Sequence, residues 1–246
     1  MIVEGTMRNP SVPISTAENL KNKGYSVEAY IIAAPKEFSS IIGYSRYVKD
    51  RRNQGFGRML DMKSHNQAAN GLPKSIDELS ERGLVEQIKI YDMFARKLCA
   101  TLKKDHDNQW TPQTKPSDLI YQIRASQLSD INFIDSILQT GKNAVPFVNA
   151  GLRNDLENRI SKLETLRSNI MFVDNKQISN IHVLNLNGKF YLNACLGNKP
   201  LPTLEIDETL FTAHKKKLIS DTLIIATVYS DLLRNISRHK GNSYKI

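Results

Sequence analysis

Residues 24–38 read "GYSVEAYIIAAPKEF", and this stretch decides the fold. Its centre, Ser26–Ala34, is rich in β-formers, with apolar residues on both faces in its second half. Such a run predicts a strand inside a sheet covered on both sides. Pro35 suits the first turn of a helix, because its φ is preset and it has no N–H to leave unpaired. Phe38, Ile41, Ile42 and Ser45 then make an inward stripe, while Lys36, Arg46 and Lys49 are directed elsewhere.

The same rhythm extends both ways. Upstream, Ile2-Val3 reads as the stub of a buried strand. Pro13 opens a helix carrying Ile14, Ala17 and Leu20, and Gly24 caps its C-terminus. Downstream, Asn53–Gly57 is a flexible break, Arg58–Asn70 a helix stopped by Gly71, and Ser75-x-x-Glu78 a capping box for a short helix closed by Gly83. "LVEQIKIYD" (84–92) is a further strand, with Ala95–Leu102 as a hairpin partner. Strands alternating with helices imply a parallel α/β sheet.

From about Asp105 the texture changes. Residues 104–118, "KDHDNQWTPQTKPSD", read as a polar linker. Beyond it, Leu152, Leu156, Ile160, Leu163 and Leu166 recur at helical steps and make a packing face. Val183–Cys195 reads as a hairpin turning at Asn187-Gly188, and Asp207–Arg238 as one long helix. The expected division is a sheet-bearing region, 1–108, and a mostly helical region with a hairpin, 109–246.

With 246 residues and 40% hydrophobics the chain can bury a core. Its net charge of +9 fits a polyanionic ligand without choosing one. Aromatics are only 7%, and no basic patch is interleaved with stacking residues, which ranks nucleic acid last. Cys99 and Cys195 suggest two buried free thiols in a reducing cytosol, and the five histidines have no metal-ligand spacing. Leu223–Val228 is too short to span a bilayer. The expected location is cytoplasmic, with no membrane partner.

No GxxxxGK[ST] occurs; Gly141-Lys142 is followed by Asn143. GxGxxG and GxSxG are absent as well. What remains is Glu4-Gly5-Thr6-x-Arg8 at the end of the first predicted strand. Ligands of open α/β sheets bind outside strand ends, where a hydroxyl and a guanidinium could hold an anionic or polyhydroxylated substrate. A Thr and an Arg after a strand are more often a turn and a surface charge. Arg46 and Arg58 flank the glycine-containing break, and could close over a phosphoryl group or be two exposed surface charges.

Residues 3 to about 100 resemble the C-terminal half of the zeta-toxin kinases of bacterial toxin–antitoxin systems. The stretches that carry the resemblance are "VEGTMRNPSVPISTAENLKNKGYSVEAYIIAAPKEFSSIIGYSRY", "GRMLDMKSHNQAANGLPKSIDELSERGL" and "IKIYD". The resemblance implies a partial P-loop-kinase-like parallel sheet with helices. It implies phosphorylation of a UDP-amino sugar by ATP with Mg²⁺, and an antitoxin or other protein as partner. Thr6 and Arg8, with Glu4, are similar to the residues that hold the sugar nucleotide, and Arg46 and Arg58 to those that contact ATP phosphates. The family's Walker A loop and general-base Asp lie upstream of Glu-Gly-Thr and have no counterpart in these residues. The chain is therefore expected to be inactive as a kinase by itself. A clipped gene product, a misplaced start codon or half of a split protein would each account for that. A second reading is a non-catalytic interaction protein whose helical half binds a partner.

Overall fold

Alternate burial, rather than a run of apolar residues, defines the first strand. In β1 (Glu28–Ile32) Ala29 and Ile31 point inward, while Tyr30 and Ile32 remain 59% and 41% exposed. The computed structural model describes residues 1–229 except 108, 175–177, 187–188, 197–198, 207 and 217. It divides into two compact units, Met1–Arg124 and Ala125–Ile246.

The first unit contains α1 (Ser11–Asn22), β1, α2 (Lys36–Gln54), α3 (Met62–Glu81), β2 (Gln87–Tyr91), β3 (Leu98–Lys104) and β4 (Trp110–Thr111). Helix α4 (Pro116–Ser129) runs from it across the division. Strand order is β1-β2-β3-β4. β1 and β2 are parallel, joined through α2 and α3; β3 and β4 add on antiparallel. The sheet is thus mixed, with one parallel pair. Ile14 and Ala17 of α1, Ile76 and Leu79 of α3, and Ile120 of α4 pack with Ala29, Ile31, Ile88, Ile90 and Leu102 of the strands. Gly24, at φ +81°, ends α1 as expected. It can do so because that backbone region is free of penalty only without a Cβ.

Several expectations are corrected here. Ile2 and Val3 are exposed and belong to no strand. β1 is not covered on both sides: Tyr30 stacks on Tyr91, and Lys89 pairs with Glu28 at 3.1 Å on its open face. A tyrosine and an isoleucine in a β-rich run do not reveal whether a second layer covers them. Residues 58–81 do not form two helices. α3 starts at the Asp61 N-cap and continues through Gly71 and Pro73. Residues 104–118 are not a linker throughout, because Trp110 and Thr111 pair with Lys104 and Lys103. Cys99 is exposed and Cys195 is only half-buried, and neither forms a disulfide.

The second unit contains α5 (Ile131–Ala144), α6 (Ala150–Asp174), β5 (Ile178–Leu186), β6 (Lys189–Leu196), β7 (Lys199–Pro200), β8 (Leu204–Ile206), α7 (Glu208–Lys215) and α8 (Asp221–Val228). The predicted hairpin is present as β5 and β6, but it grows into a four-stranded antiparallel sheet with β7 and β8 on β6. The turn at Asn187-Gly188 lies outside the described residues. The expected single helix 207–238 is two helices as far as it is described. Ser220 starts the second by accepting the Leu223 N–H at 3.1 Å, and residues beyond 229 are not described. Leu156, Ile160 and Leu163 of the α6 stripe are buried, as a packing face should be. Among the described residues no helix is long and apolar enough to cross a membrane.

Candidate functional site

The Glu4–Arg8 segment is irregular backbone seated on α3. Met7 takes φ 49°, unusual for a residue with a Cβ. Its half-buried side chain packs against the sheet core. Ser75, in the middle of α3, donates its hydroxyl to the Met7 carbonyl at 2.6 Å. The Arg8 backbone crosses α3 at Gly71, where a Cβ would stand 2.3 Å from the Arg8 oxygen. The Arg8 Nη1 donates to Ser64 Oγ at 2.9 Å. Two contacts with one helix therefore hold the backbone of residues 7 and 8 and a third holds the Arg8 side chain, while Glu4 and Thr6 stay exposed.

The start of α3 is itself anchored. The Asp61 carboxylate accepts from the N–H groups of Lys63 and Ser64, both at 3.2 Å. Hydrogen bonds from Ser64, side chain first and then backbone, hold its pKa below the ordinary carboxylate value. His65 Nε2 and Ser39 Oγ lie 2.8 Å apart and tie α3 to the first turn of α2.

Arg46 lies exposed on α2, and Arg58 lies exposed on the loop that follows. That loop folds back on the helix. A Cβ on Gly57 would meet the Tyr47 carbonyl at 2.5 Å, and a Cβ on Gly43 would strike the Leu60 side chain at 1.8 Å. The two small residues bring the Arg58 backbone to the turn that carries Arg46. Arg8 is thus held on α3, with Glu4 and Thr6 exposed just before it, and Arg58 lies on a loop folded back along α2, which carries Arg46. The Ser39–His65 contact joins their supporting helices. Two open clefts, of about 620 Å³ beside Trp110 and about 560 Å³ beside His214, are lined by none of these five residues.

Sequence reasoning missed Ser64, Gly71 and Ser75, which hold the loop. One signal was available. Ala68, Leu72, Ile76 and Leu79 keep helical spacing straight through Gly71 and Pro73, and a glycine inside a continuing helical pattern usually has a packing reason.

In comparison with known proteins, residues 1–106 match the family described as Zeta toxin. The Toxin zeta of Enterococcus hirae is 30% identical over 121 residues, which are 49% of this chain and 40% of that protein. The Toxin PezT of Streptococcus pneumoniae is 35% identical over 94 residues, 37% of this chain and 36% of that one. A solved structure from the PezAT chromosomal toxin–antitoxin system of Streptococcus pneumoniae is 26% identical, with a TM-score of 0.45. It covers 58% of this chain and 52% of its own. The segment 1–106 belongs to the zeta-toxin family. The chain spans 40% or less of the length of these two toxins.

Proposed function

We propose that the first unit is the sugar-nucleotide-facing part of a kinase cleft. Thr6 and Arg8, with Glu4, hold a UDP-amino sugar, and Arg46 and Arg58 meet the phosphates of ATP. The observation that carries this reading is the seated loop: the backbone of Met7 and Arg8 is held at Ser75 and Gly71, the Arg8 side chain is steadied by Ser64, and Glu4, Thr6 and Arg8 are exposed. A fixed backbone removes most of the ordering cost from ligand binding. The hydrogen bond to Ser64 uses one of Arg8's five donors and leaves others for a diphosphate.

Among the described residues no group of three or more His, Cys, Asp or Glu could hold a metal ion, and Mg²⁺ that arrives with ATP is held mostly by phosphate oxygens and waters rather than by such a group. Phosphoryl transfer needs phosphate-cradling amides and a metal-binding hydroxyl that a GxxxxGK[ST] loop supplies, and these 246 residues carry no such loop. The 246-residue polypeptide by itself is expected to bind the sugar nucleotide without turning over ATP.

Calorimetric titration with UDP-N-acetylglucosamine tests the reading. Arg8→Ala should weaken binding roughly tenfold to a hundredfold, the range for losing a charged hydrogen bond. Wild-type binding that Arg8→Ala and Thr6→Ala leave unchanged would remove the site. Robust ATP consumption by the same polypeptide would refute the expectation of inactivity. An antitoxin or other protein partner belongs to the same proposal, because PezT comes from a toxin–antitoxin system. The purely non-catalytic reading gains no docking face from the α6 stripe, since Leu156, Ile160 and Leu163 are buried.

A further inference from the structure

The Ala69 carbonyl lies within α3, four residues before Pro73. In a regular helix it would accept from the N–H of residue 73, and proline has none. Arg124 of α4 donates its Nη1 to that carbonyl at 2.9 Å. The helix runs without interruption from Met62 to Glu81.

Helix α4 is held against α3 at a second point. The Ser117 N–H donates to the Asp77 carboxylate at 2.9 Å. Ser117 to Arg124 spans about 10 Å along a helix and Asp77 to Ala69 about 12 Å, so antiparallel helices meet both bonds nearly in register. Between them Ile120 is fully buried in the sheet core, with Leu119 and Ile123 packed against it. Arg124 is half-buried, and its Nε is enclosed with no partner among the described residues. A guanidinium in such a place is costly to desolvate unless it is hydrogen-bonded, and Arg124 donates to Ala69. Gly71 and Ser75, which seat Arg8 and Met7, stand on either side of Pro73. The seat of the Glu4–Arg8 loop is therefore the part of α3 that lacks a helical hydrogen bond.

We propose that Arg124 is a positioning residue for the Glu4–Arg8 loop: it supplies the hydrogen bond that Pro73 cannot, keeps α3 regular from Ala69 to Ser75, and so holds the seat of Met7 and Arg8. Arg124 lies outside the segment matched to the zeta-toxin family, residues 1–106. The functional consequence rests on the sugar-nucleotide reading of that loop; the geometric part does not.

The test uses the full chain as wild type, Arg124→Met, Pro73→Ala and the double variant. Two readouts are followed: the rate of tryptic cleavage after Arg8, and titration with UDP-N-acetylglucosamine. Arg124→Met should speed cleavage after Arg8 and weaken binding, each roughly tenfold, the scale of one lost charged hydrogen bond. Adding Pro73→Ala should reverse both changes, because residue 73 regains an N–H for Ala69. A general packing role for Arg124 would show no such rescue. Unchanged readouts in Arg124→Met, or no rescue by Pro73→Ala, overturn the proposal. Should Arg124→Met fail to fold, the double variant must fold; if it too fails, the bond to Ala69 is not what Arg124 contributes. If the wild type binds no UDP-N-acetylglucosamine, the sugar-nucleotide reading falls, and cleavage after Arg8 still decides the role of Arg124.

Discussion

Replacing Gly71 by alanine tests how the Glu4–Arg8 loop is held. The new Cβ would stand 2.3 Å from the Arg8 oxygen, 3.0 Å from its carbonyl carbon and 3.2 Å from its Cα. All three are backbone atoms, so no rotamer change relieves the clash. Forcing it costs about 1–3 kcal/mol. The loop can instead lift away. That loses the Ser75–Met7 bond, worth about 1 kcal/mol, part of the Met7 burial, also about 1 kcal/mol, and the exposed Arg8–Ser64 bond, about 0.5 kcal/mol. Lifting therefore costs about as much as the clash, and α3 gains about 1 kcal/mol from alanine over glycine. The expected result is a loop lifted in a large fraction of molecules while the melting temperature stays within a few degrees of wild type. Tryptic cleavage after Arg8 and a thermal melt read the two quantities separately. Cleavage and melting both unchanged would mean that Gly71 does not seat the loop. A large fall in melting temperature with slow cleavage would mean that the core, not the loop, absorbs the clash.

Three other outcomes follow from named contacts. Gly43→Ala should loosen the Arg58 loop by displacing Leu60, whose side chain lies 1.8 Å from the new Cβ position. Leu60→Ala in the same chain should restore part of the order, and proteolysis between residues 55 and 61 reads both. Tyr229→Phe should destabilise the second unit by about 1–3 kcal/mol in urea unfolding, because the fully buried hydroxyl donates toward the Leu192 and Pro202 carbonyls at 3.1 and 2.8 Å. The Lys21 ammonium, 2.8 Å away, holds the Glu86 carboxyl below its ordinary pKa of 4.5. A depressed folded pKa means stability that is present above the unfolded pKa and lost as pH falls through the folded one. Glu86→Gln should therefore flatten the pH dependence below about pH 4.5 by no more than about 0.5 kcal/mol, since the pair is partly exposed. Urea midpoints from pH 7 to pH 3 measure it.

Local signals in the chain identified much of the first unit. Gly24 and Pro35 marked real boundaries, and the strand at 87–91 pairs parallel with β1 and antiparallel with its hairpin partner. The errors in α3 share a cause: each needed a contact from far along the chain. Gly71 and Pro73 look like helix breakers until Arg8 is seen filling the space at one and Arg124 supplying the bond missing at the other. Ser75 looks like a cap until its hydroxyl is seen on Met7, 68 residues away. Tyr30 and Ile32 look buried until the open face of the sheet is seen.

The opening stretch, residues 24–38, shows where the division lies. By itself it determined a glycine-capped helix end, a strand and a proline-started helix, because φ preferences and hydrophobic period are local properties. The kinship of residues 1–106 was likewise legible in the order of the residues. Only the tertiary structure decided which face of β1 is open, that α3 is one helix, and that Glu4–Arg8 is seated. Burial and hydrogen-bond satisfaction depend on partners that the chain brings together only when it folds.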